Sequence, residues 1–177
     1  NPALIKYEGF SPIDFDKKNY PVVLMEYLGN LSLKECLSNK PKEWNKTKMI
    51  INIIGISFGM KCLHDDGIIH CYLRPANILL DSKLYPKIMN YHIFKLINEN
   101  DENNIDNDFI YEAPEFSQND SYNNKVDVYS FAMIMYEVIT NKKPFDDLKN
   151  PNVIQVLQRV QQGKMPLFDS STPECFK

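Results

Sequence analysis

Residues 125–140, KVDVYSFAMIMYEVIT, constrain the fold more than any other stretch. Wound at 3.6 residues per turn, the run puts apolar side chains on nearly every face, and such a helix has to be enclosed by the rest of its chain. The other residues must therefore supply a shell around it. A chain of 177 residues suffices for one compact domain or a large part of one. The apolar fraction of 44%, with 12% aromatics, suits such a core.

Candidate shell elements follow in order. Leu4–Phe10 and Tyr20–Tyr27 read as strands, and the second, β-branched and bounded by Pro21 and Gly29-Asn30, is expected to be buried. A helix begins near Leu31–Leu37. Thr47–His64 reads as a longer helix whose core stripe is Ile50, Ile54 and Phe58, widened by Ile51, Ile53 and Leu63. Gly55 and Gly59 weaken it by about 1 kcal/mol each relative to Ala, and their spacing leaves a smooth strip for close approach of another element. Gly67 can supply the left-handed residue that ends it. Ile78–Leu80 and Leu84–Met89 make a ribbon around an Asp81-Ser82 turn, and Asn98–Asp108 reads as a solvated loop. Asn150-Pro151 starts a last helix, striped by Val153, Val156, Leu157 and Val160 and stopped at Gly163.

The net charge of −3 and a pI near 5.6 give no electrostatic case for nucleic acid, and no Lys/Arg cluster stands out as a basic patch. The longest apolar stretches, such as Met49–Met60, are too short and interrupted to span a bilayer, so no membrane partner is expected. Cys36, Cys62, Cys71 and Cys175 are widely spaced and without a Cys-x-x-Cys pair, which fits reduced thiols in a cytoplasmic protein. The first residue is Asn1 rather than Met, which leaves room for a parent chain that begins earlier.

Residues 70–80, HCYLRPANILL, resemble the catalytic loop of protein kinases, whose pattern is H-R-D-L-K-P-x-N followed by apolar residues. Around it, LHDDGIIH (63–70) resembles the entry to that loop, KIMNYH (87–92) the K-I-x-D-F-G segment, Glu112–Glu115 the A-P-E ending of the activation segment, and VDVYSFA the D-V-Y/W-S-F-G signature of the central helix. These motifs occur in the family's order, in the style of the tyrosine-kinase-like group of serine/threonine kinases. The resemblance implies an α+β, protein-kinase-like fold. Residues 1–28 would be the end of the small lobe and the hinge, and residues 29–177 the large lobe without its final helices.

The resemblance also implies site roles, residue by residue. Met25 would be the gatekeeper, Glu26 and Leu28 would offer backbone groups to an adenine edge, and Leu79 would floor it. Arg74 stands where a lysine meets the γ-phosphate, and Asn77 at a metal-ligand position. His70 and Asp127 match a pair that ties the catalytic loop to the central helix; a buried carboxylate needs donors, and the loop amides can supply them. Glu115 would lack its usual arginine partner within the chain.

The chemical positions depart from the family. Tyr72 stands where the base aspartate belongs, and a phenol titrates near about 10. Asn90 replaces the main metal carboxylate, keeping an oxygen but losing the charge that Mg²⁺ prefers. Cys71 replaces the arginine that receives an activation-loop phosphate, and His92 replaces a glycine. These changes leave ATP open as a ligand, with Mg²⁺ weakened. Two functional readings stay open: a catalytically impaired pseudokinase that scaffolds or regulates a protein partner, and an active ATP-dependent serine/threonine kinase with atypical residues. A third is a truncated product that does not fold alone.

Overall fold

The computed structural model describes residues 1–29, 31–91, 107–115, 123–148, 151–170 and 172–174. His92, most of the expected 98–108 loop, Asn150 and Cys175 lie outside them. The chain opens with an antiparallel hairpin, β1 (Tyr7–Ser11) and β2 (Val22–Met25), with a register shift between Tyr7 and Gly9. Helices α1 (Leu33–Asn39) and α2 (Lys46–Asp65) follow. A short ribbon, β3 (Ile78–Leu80) with β4 (Pro86–Ile88), comes next. Helices α3 (Lys125–Thr140) and α4 (Val153–Gln161) follow, and short 3-10 helices stand at Pro75–Asn77, Asn107–Tyr111 and Asp146–Leu148, the second of them taking in the end of the expected 98–108 loop.

Local chemistry sets most of the boundaries. Ser32 caps α1 through a reciprocal box, its hydroxyl accepting from the Glu35 amide while the Glu35 carboxylate accepts from the Ser32 amide. Asn45 caps α2, and Gly67 at φ +73° leaves it in the left-handed region. Asn152, boxed with Gln155, starts α4, so that helix begins after Pro151 rather than at Asn150-Pro151.

The core gathers Leu33, Ile56, Met60, Leu63, Ile78, Leu80, Ile88, Met133, Ile134 and Val138. As expected, α3 is its centre: only Lys125 and Val128 along it are exposed. Gly55 and Gly59 also behave as expected. A Cβ on Gly55 would stand 2.6 Å from Cγ of Pro86, and one on Gly59 would stand 2.8 Å from Cδ1 of Ile88. The ribbon therefore lies directly on α2. The chain's first residues join it, with the Ile88 amide donating to the Ala3 carbonyl at 2.8 Å and the Ile5 amide donating to the Ile88 carbonyl at 2.9 Å.

Two expectations fail. The stripe of α2 is not Ile50, Ile54 and Phe58, which are 47%, 60% and 52% exposed. The buried face is Asn52, Ile56, Gly59, Met60 and Leu63. Asn52 hid that face from the sequence pattern; it is tolerated because its Nδ2 donates to the carbonyls of Lys48 and Leu84, both at 2.9 Å. Nor is β2 a buried strand: Val23 and Leu24 are 38% and 47% exposed, because among the described residues no second layer covers them in the two-stranded hairpin.

Candidate functional site

The site is built on the loop between α2 and β3, and Asp127 holds that loop to α3. Asp127 is 1% exposed. Its Oδ2 accepts from the His70 amide at 2.8 Å and faces His64 Nε2 at 2.8 Å, while Oδ1 accepts from the Cys71 amide at 2.9 Å. Two successive amides reach one carboxylate because Cys71 sits at φ +64°, a region costly for a residue with a Cβ. The sequence pointed to His70 and Asp127 but not to His64, whose partner lies across the fold on another helix.

The His70 ring is buried and carries two defined bonds. Nδ1 accepts from the Tyr72 amide at 3.2 Å, so the ring proton sits on Nε2, which donates to the Met89 carbonyl at 3.0 Å. Burial, outweighing the nearby Asp127 charge, lowers the His70 pKa from its ordinary value. This neutral ring joins the loop to the end of β4.

Asn77 and Asn90 meet in front of it. Nδ2 of Asn77 donates to the Tyr72 carbonyl at 2.7 Å, which fixes the amide with Oδ1 turned the other way. That oxygen accepts from Nδ2 of Asn90 at 3.0 Å. Asn90 reaches it at φ +65°, a conformation asparagine tolerates better than most residues. One hydrogen bond therefore joins the two carboxamides. The next residue, Tyr91, donates from its hydroxyl to the Ile5 carbonyl at 3.3 Å and packs edge-on against Tyr7 at 5.3 Å between ring centroids.

Tyr72 and Arg74 stack, with the guanidinium carbon 3.8 Å from the ring centroid. Beside them, the space lined by Cys71, Tyr72, Leu73, Arg74, Tyr111 and Glu112 shrinks to about 10 Å³, at the lower limit for a single water. Residues at the end of β2 form a second group. Met25 and Leu28 are half-buried, and Glu26 accepts from Lys87 Nζ and from the Lys6 amide, each at 2.9 Å. The Lys87 hydrogen bond, above all, holds the Glu26 carboxyl below the usual range. Leu79 lies opposite Lys87 in the ribbon, on the face turned away from Ile78 and Leu80. Glu115 is exposed. Its charge adds to burial in pushing the Tyr129 phenol up to about 12.

A hairpin followed by helices, with one loop tied by a buried aspartate to a mostly apolar central helix, fits an α+β protein-kinase-like fold. A family model described as protein tyrosine and serine/threonine kinase matches residues 1–175, and the chain belongs to that family. Three relatives, all named as kinases, are similar. Cysteine-rich receptor-like protein kinase 10 of Oryza sativa subsp. japonica is 31% identical over 153 residues, covering 80% of this chain and 23% of the relative. RGS domain-containing serine/threonine-protein kinase A of Dictyostelium discoideum is 32% identical over 143 residues, covering 81% and 13%. Receptor-interacting serine/threonine-protein kinase 4 of Mus musculus is 32% identical over 153 residues, covering 81% and 19%. The chain thus spans less than a quarter of each relative's length. Among the described residues, no helix is long and apolar enough to cross a membrane.

Proposed function

We propose that this kinase-family chain is a pseudokinase, impaired in phosphotransfer, that acts as a scaffold or regulatory binding module for a protein partner. The observation that carries this reading is the bond between Asn90 Nδ2 and Asn77 Oδ1. Phosphoryl transfer rests on positioning and on charge neutralisation by Mg²⁺. That ion takes hard, preferably anionic oxygens. Here the two positions that would hold it are neutral amides, and one turns its N–H toward the other's oxygen. The donor set does not fit Mg²⁺: both groups are neutral, and the hydrogen bond from Asn90 already engages the Asn77 oxygen that would have to hold the ion.

Tyr72 supports the same reading. Its phenol cannot accept a substrate proton near neutral pH, and loss of a general base costs roughly 10²–10⁴-fold in rate. The guanidinium that would meet a γ-phosphate is stacked on that ring. What is kept is architectural: His70, Asp127 and the loop amides hold the fold. In this reading residues 1–28 are the end of the small lobe and the hinge, and 29–177 belong to the large lobe of a cytoplasmic protein. Met25, Glu26, Leu28 and Leu79 leave an adenine-binding edge open, so ATP without Mg²⁺ stays a candidate ligand.

The second reading, an active ATP-dependent serine/threonine kinase, draws on the relatives' names and on the retained Arg74 and Asn77. Phosphate incorporation from labelled ATP, measured for this chain and for longer chains that contain it, separates the two. We expect none above a protein-free blank. Incorporation abolished by Asn77→Ala would sink the pseudokinase reading.

A further inference from the structure

The basic residues of this acidic chain are unevenly spread. Lys40, Lys42, Lys46 and Lys48 fall within a single short run, K-P-K-E-W-N-K-T-K, although the whole chain is acidic. The fold sets this run against the β3–β4 turn. Between them lies a cavity of about 490 Å³ lined by Leu31, Pro41, Glu43, Lys48 and the turn residues 82–84. That volume is within the range of sites that hold ligands, roughly 300–1,000 Å³.

The geometry holds positive charge at this cavity. Lys48 Nζ donates to the Lys83 carbonyl at 2.7 Å and lies 4.5 Å from the centroid of the Tyr85 ring, so its ammonium is fixed by neutral groups. Among the described residues, none of Lys40, Lys42, Lys46, Lys48 and Lys83 forms an ion pair. Asp81, in the same turn, accepts from the Lys83 and Tyr85 amides through Oδ1, both at 2.8 Å. Glu43 is the one carboxylate on the cavity wall. Apolar surface from Leu31, Pro41 and Leu84 separates the charged groups, and Leu31 is 37% exposed.

We propose that this cavity is a docking groove for an acidic peptide segment of a protein partner, its carboxylates meeting the lysines and an apolar side chain seated on Leu31, Pro41 and Leu84. The proposal rests on the binding-module reading and names the chemistry of the partner. Lys48, in the first turn of α2, and Lys83, in the β3–β4 turn, line the cavity, and Lys42 stands between two lining residues, Pro41 and Glu43, in the loop after α1. A chain of carboxylates spans such an array, whereas a single phosphate would leave the apolar floor uncovered.

The test is selection of random peptides against the intact chain, with the selected peptides then titrated by fluorescence anisotropy. We expect peptides rich in Asp and Glu that carry at least one Leu, Ile or Phe. Binding should weaken about tenfold or more for Lys42→Glu/Lys83→Glu, equivalent to about 1.4 kcal/mol or more. Both side chains are exposed, so the variant should keep its fold, which its thermal midpoint checks. The proposal is overturned if selection yields no acidic bias, or if the variant binds the peptides as well as the parent chain. It is also overturned if inorganic phosphate or a single-stranded oligonucleotide displaces them at equal charge concentration, or if sedimentation shows the groove filled by a second copy. None of these outcomes depends on phosphotransfer: detectable kinase activity with peptide binding intact would remove the pseudokinase reading alone.

Discussion

Asn90 is where one atom decides the chemistry. Replacing its Nδ2 with a carboxylate oxygen would face that oxygen toward Asn77 Oδ1, now 3.0 Å from the nitrogen, with no proton between them. Asn90→Asp should therefore destabilise the chain by about 1–3 kcal/mol in urea titrations at neutral pH, and added Mg²⁺ should recover part of the loss. An unchanged urea midpoint would show that the amide pair is not holding the loop. His70 gives a second residue-scale prediction. Its folded pKa lies below the unfolded value of about 6.5, so its contribution is fully present above that pH. It is lost as pH falls below that value, when the unfolded chain takes up the proton first, at up to about 1.4 kcal/mol per pH unit. Urea midpoints measured from near neutrality into mild acid should fall more steeply for the parent chain than for His70→Gln. Equal slopes would assign the acid sensitivity elsewhere. The sequence pointed to both residues, yet not to their bonds. Nothing in the pattern at 77 and 90 says that one amide turns toward the other, and His64 reads only as the end of a helix until the fold sets it against Asp127.

At the scale of elements, α2 is the instructive case. Two apolar stripes run along it, and the more regular one, Ile50, Ile54 and Phe58, faces solvent. The other contains Asn52 and Gly59, with Gly55 beside it, which a hydropathy pattern discounts. Ile56→Ala should cost about 2–5 kcal/mol as a core truncation, while Ile54→Ala should stay within about 0.5 kcal/mol as a surface change. Thermal or urea unfolding ranks the two directly, and the reverse order would contradict the orientation of the helix. Gly55 gives a sharper test. Gly→Ala in a helix ordinarily gains roughly 0.5–1 kcal/mol. Here the new methyl would meet the Pro86 ring at 2.6 Å, and a ring has little room to retreat. Gly55→Ala should lower stability by about 1–3 kcal/mol through overpacking. The close-approach strip was legible because two glycines one turn apart have few other uses; its partner was not, because Pro86 lies on a distant strand.

At the scale of the whole molecule, the architecture was the most legible part. The mostly apolar run of α3 demanded a shell, and the motifs in order supplied the elements of one. Burial of the hairpin was misjudged because an apolar β-branched run reads the same whether or not a second layer covers it; Val23 and Leu24 remain exposed. The basic groove was missed because its lysines are diluted in an acidic chain and converge with Lys83 only through the turn. The central claim is that the amides of Asn77 and Asn90 stand in for the metal. The most direct measurement is a thermal-shift titration with ATP, with and without Mg²⁺, on the intact chain. A ligand at 100 times its dissociation constant stabilises by roughly 2.7 kcal/mol, or several degrees at roughly 2–4 °C per kcal/mol for a domain of this size. The account predicts that Mg²⁺ adds nothing to whatever shift ATP produces. An increment of several degrees that appears only with Mg²⁺ would show that the amide pair opens to a metal ion, and would contradict it.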